Sequence, residues 1–504
     1  MASRAWAWLH TGLNFGPLDA GVWDKFEGYW TVLPLLPTLV NATFIRLFGL
    51  KVGSLRLASL LAGFGLLAIV YYIFYELYRS RRGGLIAVFL VSTSLSFLYS
   101  SHFIRQDIYV ATLGFGAIAL YLAGRRRQQS VLSLLAGLLI GAAFEFHPNG
   151  AIYAPVIGAL YLLDDGRHFV RRRSFWVFVF GICLGLAWYA WLHIIPYPQT
   201  YVAMMSRKSL VTHMPPIASR NPITILLGLS SMAGYLFLGT GGRILATAVI
   251  ATIVLRHKWT ALHVKPLVML AVGVTTFALL IRNRVGHYVI LVAPFSDIVL
   301  AGWIEQALQA TGVDSPWLGR GNAVVLSAVA MSLVFTYGTV ILTPPPGDME
   351  LVANRIELVM SPSDTVIGSQ TYWFGLYQYN YQSWHQILRY QWFNPGSTFE
   401  EAMKALRPDV LVMDVYWRSF TVEGPQHSPR SGLPPGDWDR GLSNEEVKSF
   451  LTRYGRLEDR FYTASYGTVE IYSLHWDRQD VGFVDADKRP DAEPAIRKEM
   501  SRWR

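Results

Sequence analysis

The sequence predicts a polytopic α-helical membrane protein of about 10–12 helices with a small C-terminal extracytoplasmic α/β domain. Three observations predict it. Of 504 residues, 52% are hydrophobic and only 15% are charged, against about 25% charged in ordinary soluble domains. Mean hydropathy is +0.30. The charge is also unevenly spread: residues 1–343 carry 26 Lys/Arg and 11 Asp/Glu, a net of +15, whereas residues 344–504 carry 18 and 23, a net of −5. The overall +10 therefore describes a basic apolar body with an acidic tail, not a surface for nucleic acid. A soluble enzyme, a disordered chain and a disulfide-stapled module all fit poorly. The single cysteine, Cys183, excludes internal disulfides and multi-cysteine metal sites. Within FWVFVFGICLGLAWYAWL it is expected to pack.

A run of roughly 18 apolar residues is long enough to cross a bilayer as a helix. Spans are predicted at 53–78, 84–100, 108–124, 130–146, 150–163, 174–195, 242–255, 266–281, 286–308 and 322–342. Two further segments, 30–49 and 222–240, read equally as spans or as interfacial helices. The first thirty residues lack a charged region followed by an apolar run, so no signal peptide is expected. Arginines set the orientation. Arg79, Arg81 and Arg82, then Arg125 to Arg127, then Arg167 and Arg171 to Arg173 follow alternate spans, and such clusters stay cytoplasmic. The loops near 101–107, 147–149 and 196–221 then face outward. If 222–240 does not cross, Arg256, Lys258 and Lys265 lie inside, and the 282–287 loop and the tail face outward, in a plasma (inner) membrane protein.

Pro344, Pro345, Pro346 and Gly347 end the transmembrane body, 1–343, and open a soluble domain, 344–478. Its strand-like runs are 364–369, 408–415 and 467–474; its helix-like runs are 399–406 and 443–455, the latter with Ser443 and Glu446 spaced as a capping box. Strand–helix alternation points to α/β architecture. Residues 479–504 read as a flexible charged tail.

With so few acids in the body, each can be weighed singly. Asp164, Asp165, Asp314 and Glu76 fall near cytoplasmic ends, where solvated surface explains them. Asp19, Asp24 and Glu27 lie in a loop-like segment. Asp107, Glu145 and Asp297 lie within or at the outer edge of spans, where carboxylates are expensive and usually paired or functional. Asp107, in SSHFIRQDIYV, could activate a hydroxyl, hold a metal or pair with Arg105. In FEFHPNG, His147 either caps a helix or, with free N–H groups beside it, faces a phosphate. RNRVGHYVILVAP brings Arg282, Arg284, His287 and Tyr288, which suit lipid anchoring or an anionic headgroup. Three outward loops thus each present groups for an anion beside one carboxylate.

These pieces resemble the GT-C membrane glycosyltransferases of the protein-mannosyltransferase and aminoarabinose-transferase type, family 39-like. The matching segments are LFGLKVGSLRLASLLAG, SSHFIRQDIYV, GLLIGAAFEFHPNG and RNRVGHYVILVAPF, in that order, and the outer α/β tail also recurs in relatives. Relatives open with a helix and an outer loop carrying an acidic pair. Phe48-Gly49 lies so near the start that this pair would fall at or before Met1, so the chain is expected to begin downstream of it, or Asp19, Asp24 or Glu27 to substitute.

The resemblance implies transfer of a sugar from a polyprenyl-phosphate donor to a hydroxyl of a protein, lipid or glycan at the extracytoplasmic face, with inversion. It implies catalytic roles for Asp107, Asp24 and Glu27, and donor-phosphate binding by Arg105, His147, Arg282, Arg284 and Tyr288. No cofactor is called for, and a divalent metal stays open. Two other classes compete: a transporter or flippase of lipid-linked precursors, and an inactive binder of lipid-linked sugars. The absence of a convincing internal repeat disfavours a transporter.

Overall fold

The computed structural model describes residues 1–16, 18, 34–196, 198–199, 201–202, 264–281, 286–310, 348–394, 396–422 and 442–476. The chain divides into two compact units, Met1–Gly16 with Tyr29–Pro344 and Pro17–Gly28 with Pro345–Arg504. The expected spans 242–255 and 322–342, the ambiguous 222–240, Asp314 and the tail 479–504 all lie outside the described residues.

The first unit is helical: α1 (Ala2–Thr11), α2 (Leu36–Phe48), α3 (Val52–Tyr78), α4 (Arg81–Ser92), α5 (Leu95–His102), α6 (Asp107–Arg127), α7 (Ser130–Phe146), α8 (Tyr153–Asp165), α9 (Arg173–His193), α10 (Val264–Leu280) and α11 (Ala293–Ala310). Among the described residues α3, α6 and α9 are each long and apolar enough to cross a membrane, and α4 with α5 would make a fourth crossing bent by 66°. Helix α1 was not foreseen from the sequence.

Three expected spans are corrected in detail. Segment 84–100 is broken at Thr93–Ser94. The Ser92 and Thr93 hydroxyls bond back to the Phe89 carbonyl, and Ser94 accepts from Phe97 N as the cap of α5. Serine and threonine thus compete with the helix for its own backbone. Segments 150–163 and 286–308 each open as a 3₁₀ turn, at Pro148–Ile152 and Gly286–Leu291, before continuing as α8 and α11.

Helix α6 is the axis of the unit, with 83% of its apolar window buried, whereas only 17% of the α9 window is. Cys183 is exposed on α9, alongside Phe180, Leu184 and Trp188. The expectation that it packs is therefore wrong: α9 presents an apolar outer face, as a peripheral membrane helix does. Its inner face meets α7 through glycine. A Cβ on Gly141 would stand 2.5 Å from Gly185 Cα, and one on Gly137 would strike the Phe178 carbonyl. Gly137/Gly141 and Gly181/Gly185 are two small-x-x-x-small pairs set face to face, the pattern that lets helix backbones approach in lipid.

One end of the unit carries a belt of ion pairs. Glu76 meets Arg79 at 3.0 Å and Arg126 at 2.7 Å; Asp165 meets Arg125 and Arg172, each at 3.0 Å; Asp164 meets Lys265 at 2.6 Å. Glu305, which the sequence did not single out, accepts from Ser80 and Arg82. The arginine clusters after α3, α6 and α8 thus share one end. The reading of Glu76 and Asp165 as solvated surface is corrected, since their side chains are only 3% and 2% exposed and the paired guanidiniums replace water.

The second unit holds a five-stranded sheet of β1 (Thr365–Gly368), β2 (Asn380–Ser383), β3 (Val410–Met413), β4 (Gly455–Thr463) and β5 (Gly467–Leu474). Their order is β2-β1-β3-β5-β4. The first three are parallel; β5 runs antiparallel to β3 and β4. The expected strands 364–369, 408–415 and 467–474 correspond to β1, β3 and β5, while β2 and β4 were missed. Strand β4 buries none of its first six residues fully, which leaves little apolar signal. The full capping box lies at Thr398–Glu401. At the expected one, Ser443 does cap Glu446 N, but the Glu446 carboxylate crosses to Phe399 N. Thr398→Ala should cost about 1 kcal/mol, seen as roughly five-fold faster amide exchange in the first turn of Phe399–Leu406.

Candidate functional site

At the opposite end of α6 from the ion-pair belt, three short connections converge. The first precedes α6. Asp107 occupies the first helical turn, where the backbone favours a negative charge, and it is 2% exposed. Arg105 Nε donates to Asp107 Oδ2 at 2.8 Å. The arginine side chain is 34% exposed, so the carboxylate lies behind a guanidinium that faces outward. His102 bonds back to the Leu98 carbonyl at 2.8 Å and stays exposed.

The second connection is His147–Ile152. His147 caps the 3₁₀ turn, its Nδ1 accepting from Asn149 N at 3.1 Å. Gly150 lets this turn fold onto α7, since a Cβ there would meet the Ala143 backbone at 2.5 Å. The N–H groups of His147, Asn149 and Gly150 are all spent internally, so the expected free backbone donors are not present. An Nδ1 that accepts places the ring proton of neutral imidazole on Nε2. In that tautomer Nε2 is the ring atom left to donate.

The third connection carries Tyr288. Tyr153 donates to the Leu291 carbonyl at 2.9 Å and fixes this turn against α6, where Gly114 makes room for the Tyr153 ring. The Arg105 guanidinium lies 5.8 Å from the Tyr288 ring centroid, and the His147 ring lies 5.8 Å from the same ring. Arg105, Asp107, His147 and Tyr288 therefore form one cluster. Arg282, Arg284, Asp24 and Glu27 lie outside the described residues. Asp297 is buried on α11.

Glu145 has a different place. Its Oε1 accepts from Leu35 N at 2.7 Å, and both oxygens bond His193 Nε2, at 2.9 and 3.0 Å. It ties the ends of α7 and α9 to the start of α2, just behind His147. His193 was not singled out; the distance of 48 residues between the partners hid the pair. Glu145→Ala should cost about 1–3 kcal/mol for each buried group left without an acceptor. Glu145→Gln, which keeps one carbonyl, should cost less. Thermal unfolding in detergent would distinguish the two.

Among the described residues, no three His, Cys, Asp or Glu side chains come together as a metal site. Asp107, the carboxylate expected as a possible metal ligand, has one oxygen on the Arg105 guanidinium. In the second unit, Tyr372 bonds Asp414 at 2.7 Å, Tyr381 bonds the Ser369 carbonyl at 2.6 Å, and Trp373 is fully buried. These aromatics are interior, though they come from a turn, a short helix and a strand.

Residues 33–192, which contain Arg105, Asp107 and His147, match the family described as dolichyl-phosphate-mannose-protein mannosyltransferase. No curated protein sequence matches the chain significantly. Among solved structures, ArnT from Cupriavidus metallidurans bound to undecaprenyl phosphate is similar with a TM-score of 0.59 at 12% identity, over 94% of this chain and 93% of that one. Its apo form gives 0.52 at 13% identity, over 94% and 92%. The chain has the GT-C glycosyltransferase fold. The Archaeoglobus fulgidus oligosaccharyltransferase in complex with Zn and sulfate lies farther off, at a TM-score of 0.46 and 12% identity, over 89% of this chain and 65% of that one. The cluster of Arg105, Asp107, His147 and Tyr288, at the end of α6 remote from the arginine belt, is the candidate site.

Proposed function

We propose that this GT-C chain transfers a sugar from a polyprenyl-phosphate donor to an acceptor hydroxyl at the extracytoplasmic face, with inversion. The observation that carries the reading is the cluster Arg105, Asp107, His147 and Tyr288, built from three separate connections at one end of α6. The arginine belt marks the other end, and arginine-rich ends stay cytoplasmic. The similarity to an ArnT solved with undecaprenyl phosphate supports a donor of that chemical class.

In the step itself, the acceptor oxygen bonds the anomeric carbon as the bond from that carbon to the phosphate oxygen breaks. The electron pair leaves with the polyprenyl phosphate, and the acceptor proton passes to a carboxylate. Charge develops on the phosphate, where fixed donors lower the barrier. Arg105 supplies the positive charge, with Arg282 and Arg284 as further phosphate ligands. His147 donates from Nε2, and the Tyr288 hydroxyl donates beside it. Asp107 holds Arg105 in place rather than taking the proton.

The test uses membranes containing the full chain and a labelled polyprenyl-phosphate sugar. Expected are label in an acceptor and release of polyprenyl phosphate, both lost in Arg105→Ala. Intact donor appearing on the opposite leaflet, with no cleavage, would establish a flippase instead.

A further inference from the structure

A second feature sits at the far end of α6 and does not depend on the chemistry at Arg105. An open groove of about 440 Å³ lies between α3, α6 and α7, and its lining is apolar apart from Tyr72 and Arg127. Gly116, Ala119 and Ala123 of α6 form its floor, Leu139 of α7 and Ile69 of α3 flank it, and Arg127 closes it. From Gly116 to Arg127 the helix rises about 16 Å. The groove takes a single extended chain: a helix about 10 Å across and that long would fill roughly 1,200 Å³.

The polar end decides what that chain carries. The neighbouring arginines are engaged, Arg125 with Asp164 and Asp165, Arg126 with Glu76. No described carboxylate pairs with Arg127, which is exposed at the end of the last turn of α6. An apolar slot ending in a guanidinium that pairs with no described carboxylate matches an acyl chain with a phosphate at its head, and basic pockets between membrane helices bind acidic lipid headgroups. We propose that this groove holds one acyl chain of an anionic glycerophospholipid, from the leaflet on the arginine-belt side, with its phosphate on Arg127.

The test is native mass spectrometry of the detergent-purified full chain, offered phosphatidylglycerol and phosphatidylcholine with the same acyl chains. The wild type should retain phosphatidylglycerol preferentially. Arg127→Gln should reduce that preference at least five-fold. Ala119→Phe, which fills the slot, should abolish retention of both lipids there. Equal thermal midpoints for the three proteins exclude misfolding as the cause. Equal retention of the two lipids by the wild type, or an unchanged preference in Arg127→Gln, would overturn the proposal. So would loss of polyprenyl-phosphate binding in Ala119→Phe, which would assign the slot to the donor.

Discussion

Arg105→Ala is expected to lower sugar transfer by about 10²–10³-fold, the usual effect of removing one preorganised donor from a developing anion. The loss should fall on kcat more than on KM, because the extra negative charge appears as the phosphate leaves. Two further variants separate charge from geometry. Arg105→Lys keeps the charge but loses the planar fork that reaches Asp107 while still facing outward, so it should restore activity only partly. Asp107→Asn keeps the shape and removes the ionic clamp. If Asp107 only positions the guanidinium, a loss of about 10²-fold follows from misplacement alone, and the double variant Arg105→Ala/Asp107→Asn should be no worse than Arg105→Ala. A double variant far below either single one would give Asp107 a chemical role of its own. Wild-type transfer in Arg105→Ala would remove this cluster from the reaction.

The largest effect on stability is expected at the α7–α9 seam. Gly141→Leu places a branched side chain where even a Cβ stands 2.5 Å from the Gly185 backbone. The helices must separate or the side chain must leave, and overpacking of this kind costs about 1–3 kcal/mol or more. Separation would also pull His193 from Glu145, adding the cost of buried groups without partners. We expect Gly141→Leu to lower the yield of monodisperse protein severely, and Gly141→Ala to lower the thermal midpoint by several degrees. A leucine variant with an unchanged midpoint would mean that the glycines are not the closest approach in the membrane.

Much of this organisation was legible in the sequence because two signals are strong over long stretches. Apolar runs placed α3, α6, α7 and α9 to within a few residues, and the arginine clusters placed their shared end. A common side for Arg105 and His147 was readable from parity, since alternate loops lie on the same side, whereas Tyr288 joined them only if 222–240 does not cross. What failed was local. The hydroxyls at Ser92–Ser94 broke a helix that hydropathy drew straight, because hydropathy does not record a side chain competing for its own backbone. The free N–H groups expected beside His147 are bonded within its own turn. Glu76 and Asp165 looked solvated because Arg126 and Arg125, which pair with them, come from another helix, α6. Partners distant in the chain, such as Glu145 and His193, leave no mark on local composition.

The glycine seam also constrains how the protein is made. Gly141 finds its partner only when Gly185, forty-four residues later, has entered the membrane. At about 5–20 residues per second, translation imposes a delay of roughly 2–9 s. During that interval α7 stands in the bilayer with a bare glycine face, and any other small-residue helix nearby can occupy it. The order of insertion, as much as the final packing energy, then decides whether α9 arrives in time to complete the bundle.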